Sequence, residues 1–196
     1  STYPCRYSWD NPRDTRRFEM NSVKAAIVAT AFIGTSAMAG AANVGIDQSD
    51  APWLGFMNVF ELPANGGGFV FGSGWGIADL TADFDDGAST LTMGPNTVND
   101  PDPFWYQGGG GPGQLGNKFM EANLYQESIG GLAGQTVTFE GTVLSNTFTD
   151  AHSAQVFIRD FAGDFSSSVD VFADIDAAGN FSISLDTIDD ATRIVQ

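Results

Sequence analysis

From residue 51 onward the chain alternates apolar and polar side chains with a period of two, in short bursts separated by glycine, asparagine and aspartate. In "GQTVTFEGTVLS" (134–145), Val137, Phe139 and Val143 fall on one side, while Thr136, Thr138, Glu140 and Thr142 fall on the other. That spacing predicts a half-buried strand. "SVDVFADIDAAGNFSISLDTI" (168–188) predicts two more: Val169, Val171, Ala173 and Ile175 alternate with polar or small neighbours, and Phe181, Ile183 and Leu185 do the same. The intervening "DAAGN" has the composition of a hairpin turn. Further strands are predicted over 54–62, 68–72, 77–84, 89–93, 103–107, 118–126, 154–161 and 192–196. No stretch of this region holds a helical period. One-sided strands must bury their apolar face against a second sheet, so residues 51–196 are expected to form an all-β, antiparallel β-sandwich or jelly roll. Its last strand runs to Gln196 without a terminating turn, and the sandwich is expected to lack its closing strand.

The pattern is different before residue 51. "MNSVKAAIVATAFIGTSAMAGAA" (20–42) places a lysine ahead of an apolar stretch and then small residues at Ala37 and Ala39, the order of a secretory signal peptide cleaved after Ala39. As a membrane anchor it is short and diluted by Thr30, Gly34, Thr35 and Ser36, against the roughly 20 apolar residues a spanning helix needs. The expected organisation is an unstructured upstream segment (1–19), a signal-peptide helix outside the fold (20–39), a linker (40–50) and the sandwich domain (51–196). Cys5 is the only cysteine and precedes the cleavage point, so the processed chain would hold together without disulfides. The expected location is secreted or cell surface, with no stable membrane insertion after cleavage.

Charge narrows the partners. The 196 residues carry 24 acidic against 8 basic side chains, a formal net charge of −16, and after residue 25 the only basic ones are Lys118, Arg159 and Arg193. Such a surface repels phosphate backbones, which excludes nucleic acid. It suits neutral polymers, divalent cations or solubility in salt.

Three segments carry a family likeness. "GGLAGQTVTFEGTVLSN" (130–146), "AQVFIRDF" (154–161) and "FSISLDTIDDATRIVQ" (181–196) resemble the central strands of jelly-roll, galactose-binding-like carbohydrate-binding modules. The matching positions are Leu132, Gly134, Thr136, Thr138 and Phe139, then Val156, Ile158 and Asp160, then Phe181, Ile183 and Leu185. These are core positions, so the likeness bears on fold more than on ligand. "NVFELPANGGGFVFGSGWGIADL" (58–80) resembles domains of exported bacterial proteins that carry a C-terminal sorting signal. The resemblance implies an extracellular carbohydrate partner and a structural calcium ion, for which it assigns no ligands in this chain.

The residues themselves offer modest chemistry. "PDPFWYQGGGGPG" (101–113) sets Phe104, Trp105 and Tyr106 side by side; as a strand it would send Phe104 and Tyr106 to one face and Trp105 to the other. Either the rings pack inward under the glycine loop, or one stays open as a flat platform for a sugar ring. Trp75, Trp105 and Tyr106 are the stacking candidates, with Gln107, Asn117 and Glu121 as hydrogen-bonding neighbours. Carboxylates pair at Asp83, Asp85 and Asp86, at Asp100 and Asp102, at Asp174 and Asp176, and at Asp189 and Asp190. "DIDAAGNFSISL" opens like an EF-hand loop but has Ala178 at the fifth place and Leu185 at the twelfth, so that match fails. His152 is the only histidine, and Ser153 beside it would point to the opposite face of a strand, which leaves no triad. Two of Glu61, Glu121, Glu127 and Glu140 could form a glycosidase pair, the weakest of three readings. The leading one is a non-catalytic carbohydrate-binding domain, and its alternative is a structural or adhesive domain with no small ligand.

Overall fold

The computed structural model describes residues 6–8, 25–28, 41–43, 45–49, 52–96, 98–149 and 151–196. These residues contain no α-helix. Fourteen strands follow one another: Arg6–Ser8 (β1), Ala25–Val28 (β2), Ala41–Asn43 (β3), Leu54–Glu61 (β4), Phe69–Trp75 (β5), Asp83–Asp85 (β6), Thr90–Met93 (β7), Lys118–Tyr125 (β8), Ser128–Ile129 (β9), Thr136–Ser145 (β10), Gln155–Phe161 (β11), Ser168–Asp174 (β12), Gly179–Asp186 (β13) and Ile194–Val195 (β14). They form three sheets, in the orders β1-β8-β4-β5, β13-β10-β2-β7-β6 with β3 beside β10, and β12-β11-β14-β9. Every pairing is antiparallel except β3 with β10. The all-β, antiparallel class read from the sequence is what the described residues adopt. β1, β2 and β3 fall within the segments read as upstream sequence, leader and linker; Cys5, the rest of the leader and its cleavage point at Ala39 lie outside the described residues.

Three expected elements are corrected. Residues 103–107 are not a strand: Pro103–Trp105 is a 3-10 turn, because Pro103 fixes the first φ and the Asp102 carboxylate accepts the Phe104 N–H at 2.9 Å. Residues 77–82 wind through successive turn bonds, Leu80 N–H to the Ile77 carbonyl and Thr81 N–H to the Ala78 carbonyl, which bury Leu80; only Asp83–Asp85 is extended. "DAAGN" is not a hairpin. β12 pairs with β11 and β13 with β10, so the turn carries the chain from one sheet to another. Its bonds are made elsewhere: Asp176 accepts the Ala154 N–H at 2.7 Å, and the Ile175 carbonyl accepts from Asn146 Nδ2 at 2.9 Å.

The main core lies where those sheets meet. Val137 and Val143 of β10 and Phe181 and Ile183 of β13 pack with Val156 and Ile158 of β11, Ile175 and Val195. The alternation predicted for 134–145 and 168–188 supplies this cluster directly. A second cluster joins Ile46 and Leu91 to Trp53, Phe84, Leu124 and Phe139; a third joins Met57, Val59 and Met120 to Phe71, Trp75 and Trp105. Gly134 takes φ +67°, and a Cβ there would stand 3.0 Å from the Asp189 carboxylate, so the glycine of the likeness motif is required by the turn into β10.

Among the described residues, Asp160 and Arg193 form an ion pair inside the fold. Asp160 is wholly buried and Arg193 is 7% exposed. Asp160 Oδ1 accepts from Arg193 Nε at 2.8 Å, its Oδ2 accepts the Ile188 N–H at 2.8 Å, and its backbone carbonyl accepts from Arg193 Nη2 at 2.6 Å. The pair ties the 187–193 loop to β11. On the outer side of β11, Arg159 forms a bidentate pair with Asp170 at 3.0 and 3.3 Å, and its guanidinium lies 5.3–5.6 Å from the rings of Phe157, Phe161 and Phe172. Removing one member of a buried pair strands the other charge, which typically costs about 3–5 kcal/mol, whereas the Arg159–Asp170 pair, with side chains 17% and 18% exposed, leaves the surviving charge in reach of water. Urea unfolding should therefore show Asp160→Ala losing about 3–5 kcal/mol and Asp170→Ala losing less. Equal losses would remove the inner pair from its place as an anchor.

Candidate functional site

Of the aromatic triplet, Trp105 packs on the face of β4, β5 and β8 that carries Met57, Val59 and Met120, and Phe104 lies beside Phe71 of β5. Trp105 meets Phe104 edge-on with centroids 4.8 Å apart, and Phe71 of β5 at 6.2 Å. Its indole N–H donates to Asp100 Oδ2 at 3.0 Å, and the Tyr106 hydroxyl donates to the Asp100 carbonyl at 2.7 Å. One aspartate thus fixes the polar ends of both rings. Burial, with the Asp100 charge adding to it, holds the Tyr106 hydroxyl above its ordinary pKa, so it stays protonated at neutral pH. The loop closes on itself: Tyr106 bridges Gly116, the Gln107 N–H donates to the Leu115 carbonyl, and the Asn117 N–H to the Trp105 carbonyl.

The sequence candidates divide accordingly. Trp75 and Trp105 join one cluster, half-buried, with Tyr106 beside them. Gln107 and Asn117 are in the same loop, but their side-chain amides donate to the Gly116 and Phe104 carbonyls at 2.9 and 3.2 Å and so hold the loop in shape. Glu121 is elsewhere. It follows Met120 on β8 and faces the other side of the sheet, where it is 3% exposed and accepts from Asn58 Nδ2 at 3.0 Å and Asn123 Nδ2 at 3.3 Å. Sequence reasoning missed Phe71, Asp100 and Lys118. The Lys118 ammonium lies 4.5 Å over the Phe104 ring and 3.3 Å from Glu61, leaving Phe104 itself 37% exposed. The lysine lies two residues before Met120 on β8, and that same-face spacing was the signal available for it.

The acidic clusters are engaged in turns. Asp86 accepts the Gln48 and Ser49 N–H groups at 2.7 and 3.2 Å, Asp85 accepts that of Ala88, Asp100 that of Asp102, and Asp190 both the N–H and the hydroxyl of Thr192. Backbone bonds hold the Asp86 and Asp190 carboxyls below their ordinary range. Among the described residues no group of three acidic, histidine or cysteine side chains converges as a metal site. Glu61 faces Lys118, Glu121 is bound to the two asparagines, and Glu127 accepts from Gln196 Nε2 at 2.9 Å.

No protein-family model, curated protein or solved structure matches the chain.

His152 is bonded through Nδ1 to the Thr149 hydroxyl at 2.9 Å and lies against Phe148. Burial pushes its pKa below the ordinary 6.5. The unfolded chain then binds the proton first, so stability rises with pH through this range: it is fully present above 6.5 and declines as pH falls below that value toward the folded pKa. Thermal midpoints measured from pH 7 down to about 5 should fall for the natural chain and fall less steeply for His152→Gln. Parallel slopes would exclude His152 as the cause.

Proposed function

We propose that the chain is an exported, non-catalytic carbohydrate-binding domain built as a galactose-binding-like jelly-roll sandwich. The observation that carries this reading is the way the 100–117 loop holds Trp105. Its ring packs in a triangle with Phe71 and Phe104, its N–H is committed to Asp100, and it is only half-buried beside a run of glycines. A ring fixed in this way loses little entropy when a sugar face stacks on it, and the adjacent Phe104, 37% exposed, widens the shelf. Hydrogen bonds to sugar hydroxyls come in this reading from Asp102 and Glu61 at its border. The surplus of negative charge suits a neutral glycan.

The second reading, a structural or adhesive domain, is favoured by the contacts of Trp75 and Trp105 with Met57, Val59 and Met120, which make part of each ring core. Titrating tryptophan fluorescence with soluble glucan, xylan and galactan, with and without EDTA, separates the two. A saturable shift is expected that Trp105→Ala weakens about tenfold, the scale of one stacked ring, while the fold persists by circular dichroism. A flat response to all three polymers would leave the scaffold as the better account, and release of reducing sugar would revive the glycosidase. The EDTA arm reads out the structural calcium that the family likeness implies.

A further inference from the structure

The hairpin that joins β4 to β5 turns through Pro63, Ala64, Asn65 and three glycines. Pro63–Asn65 is a 3-10 turn, ended by Gly66 at φ +96°. Leu62 anchors its base: the side chain is buried, and its carbonyl accepts the Asn65 and Gly67 N–H groups at 2.8 and 3.1 Å. Beyond that base the turn stands clear. Asn65, Gly66, Gly67 and Gly68 are exposed, and a Cβ added at Gly66 or Gly68 would meet no atom within 4 Å.

Asn65-Gly66 is the only Asn-Gly step in the 196 residues. The peptide nitrogen that follows an asparagine can attack the side-chain amide carbon, and any residue but glycine hinders that approach with its own side chain. Other asparagines are restrained on two counts. Asn58, Asn117, Asn123 and Asn146 donate their side-chain amides to fixed acceptors, and Val59, Lys118, Leu124 and Thr147 follow them. Asn96 and Asn180 accept through theirs and precede Thr97 and Phe181. The Asn65 side chain makes no hydrogen bond among the described residues. In the closed turn the Gly66 N–H donates to the Pro63 carbonyl at 3.1 Å. Releasing it needs only a rotation of the Asn65–Gly66 peptide, for which the space around the glycines is open. One exposed hydrogen bond is lost.

We propose that Asn65 is a site of spontaneous deamidation. Hydroxide removes the Gly66 N–H proton, the nitrogen bonds to Asn65 Cγ, and the side-chain nitrogen takes a proton from water and leaves as ammonia, which closes a succinimide ring. Water then opens the ring at either carbonyl. Attack at Cγ restores the ordinary chain with a carboxylate at position 65; attack at the backbone carbonyl gives the isoaspartyl linkage, which carries the chain through the side-chain methylene. The net change is an amide and water for a carboxylate and ammonium, with no oxidation or reduction. Each product adds a negative charge to a chain already at −16. The isoaspartyl one also lengthens the tip of the hairpin whose strands bring Met57, Val59 and Phe71 to Trp105. The inference does not rest on the carbohydrate reading.

The test is intact-mass and fragment mapping of the folded 196-residue chain stored in mildly alkaline buffer, beside the same chain in guanidinium chloride. A gain of about 1 Da, the exchange of an amide nitrogen group for oxygen, is expected at position 65 before any other asparagine. With a single exposed hydrogen bond to break, the folded rate should lie within about tenfold of the unfolded one. Protein isoaspartate methyltransferase should methylate the aged fragment that holds position 65 and leave the fresh one unlabelled. Asn65→Gln, which would have to close a larger ring, should lose the mass gain and the methylation together; the natural chain, folded against unfolded, gives the answer even where that variant does not fold. A folded chain that keeps Asn65 intact while the unfolded chain converts it would overturn the proposal, since the turn would then act as a shield. So would an earlier gain at any other asparagine.

Discussion

The buried pair of Asp160 and Arg193 is the constraint on which the second half of the molecule turns. A carboxylate with no exposure is tolerable only when each oxygen is answered, and here Arg193 answers one and the Ile188 N–H the other. Satisfying that carboxylate fixes three things together: the path of the 187–193 loop, the entry of β14 between β11 and β9, and the depth of Val195 in the core. The guanidinium also binds the Asp160 carbonyl, so the backbone of β11 is held as well as its side chain. Hydrophobic pairing alone would let a two-residue strand slide; a charge that must meet its partner sets the register.

Much of this was legible in the chain. The period of two in 134–145, 154–161 and 168–188 yields β10 to β13 nearly to the residue, because one-sided burial forces that alternation wherever a strand has a wet face. What alternation does not encode is which strand pairs with which. "DAAGN" has hairpin composition, yet its neighbours bond to different sheets, and the deciding contacts come from Asn146 and Ala154, some twenty to thirty residues away. Residues 103–107 were misread for a local reason: aromatic composition favours strand, but a proline preceded by an aspartate favours a capped turn, and the cap prevailed.

The candidate site was legible in part. Trp75 and Trp105 pack in one cluster, whereas Glu121 is separated from them by the thickness of the sheet, a consequence of its odd spacing from Met120. Asp100 went unnoticed as the residue that orients two rings at once, since nothing in a string of letters distinguishes an aspartate that caps a turn from one that also takes an indole N–H. The acidic pairs follow the same logic: composition alone leaves them as ion ligands or solvated turns, and in space they cap turns.

The three cations after residue 25 are all committed. Lys118 is against Glu61 and the Phe104 ring, Arg159 is clasped by Asp170 and three phenylalanines, and Arg193 is sealed beside Asp160. The solvent-facing shell of this region therefore shows water almost purely anionic groups. Molecules with such shells repel one another at low ionic strength, and mobile counter-ions rather than surface ion pairs set how closely they approach. Brine, which weakens proteins held by exposed salt links, relaxes the self-repulsion of this one.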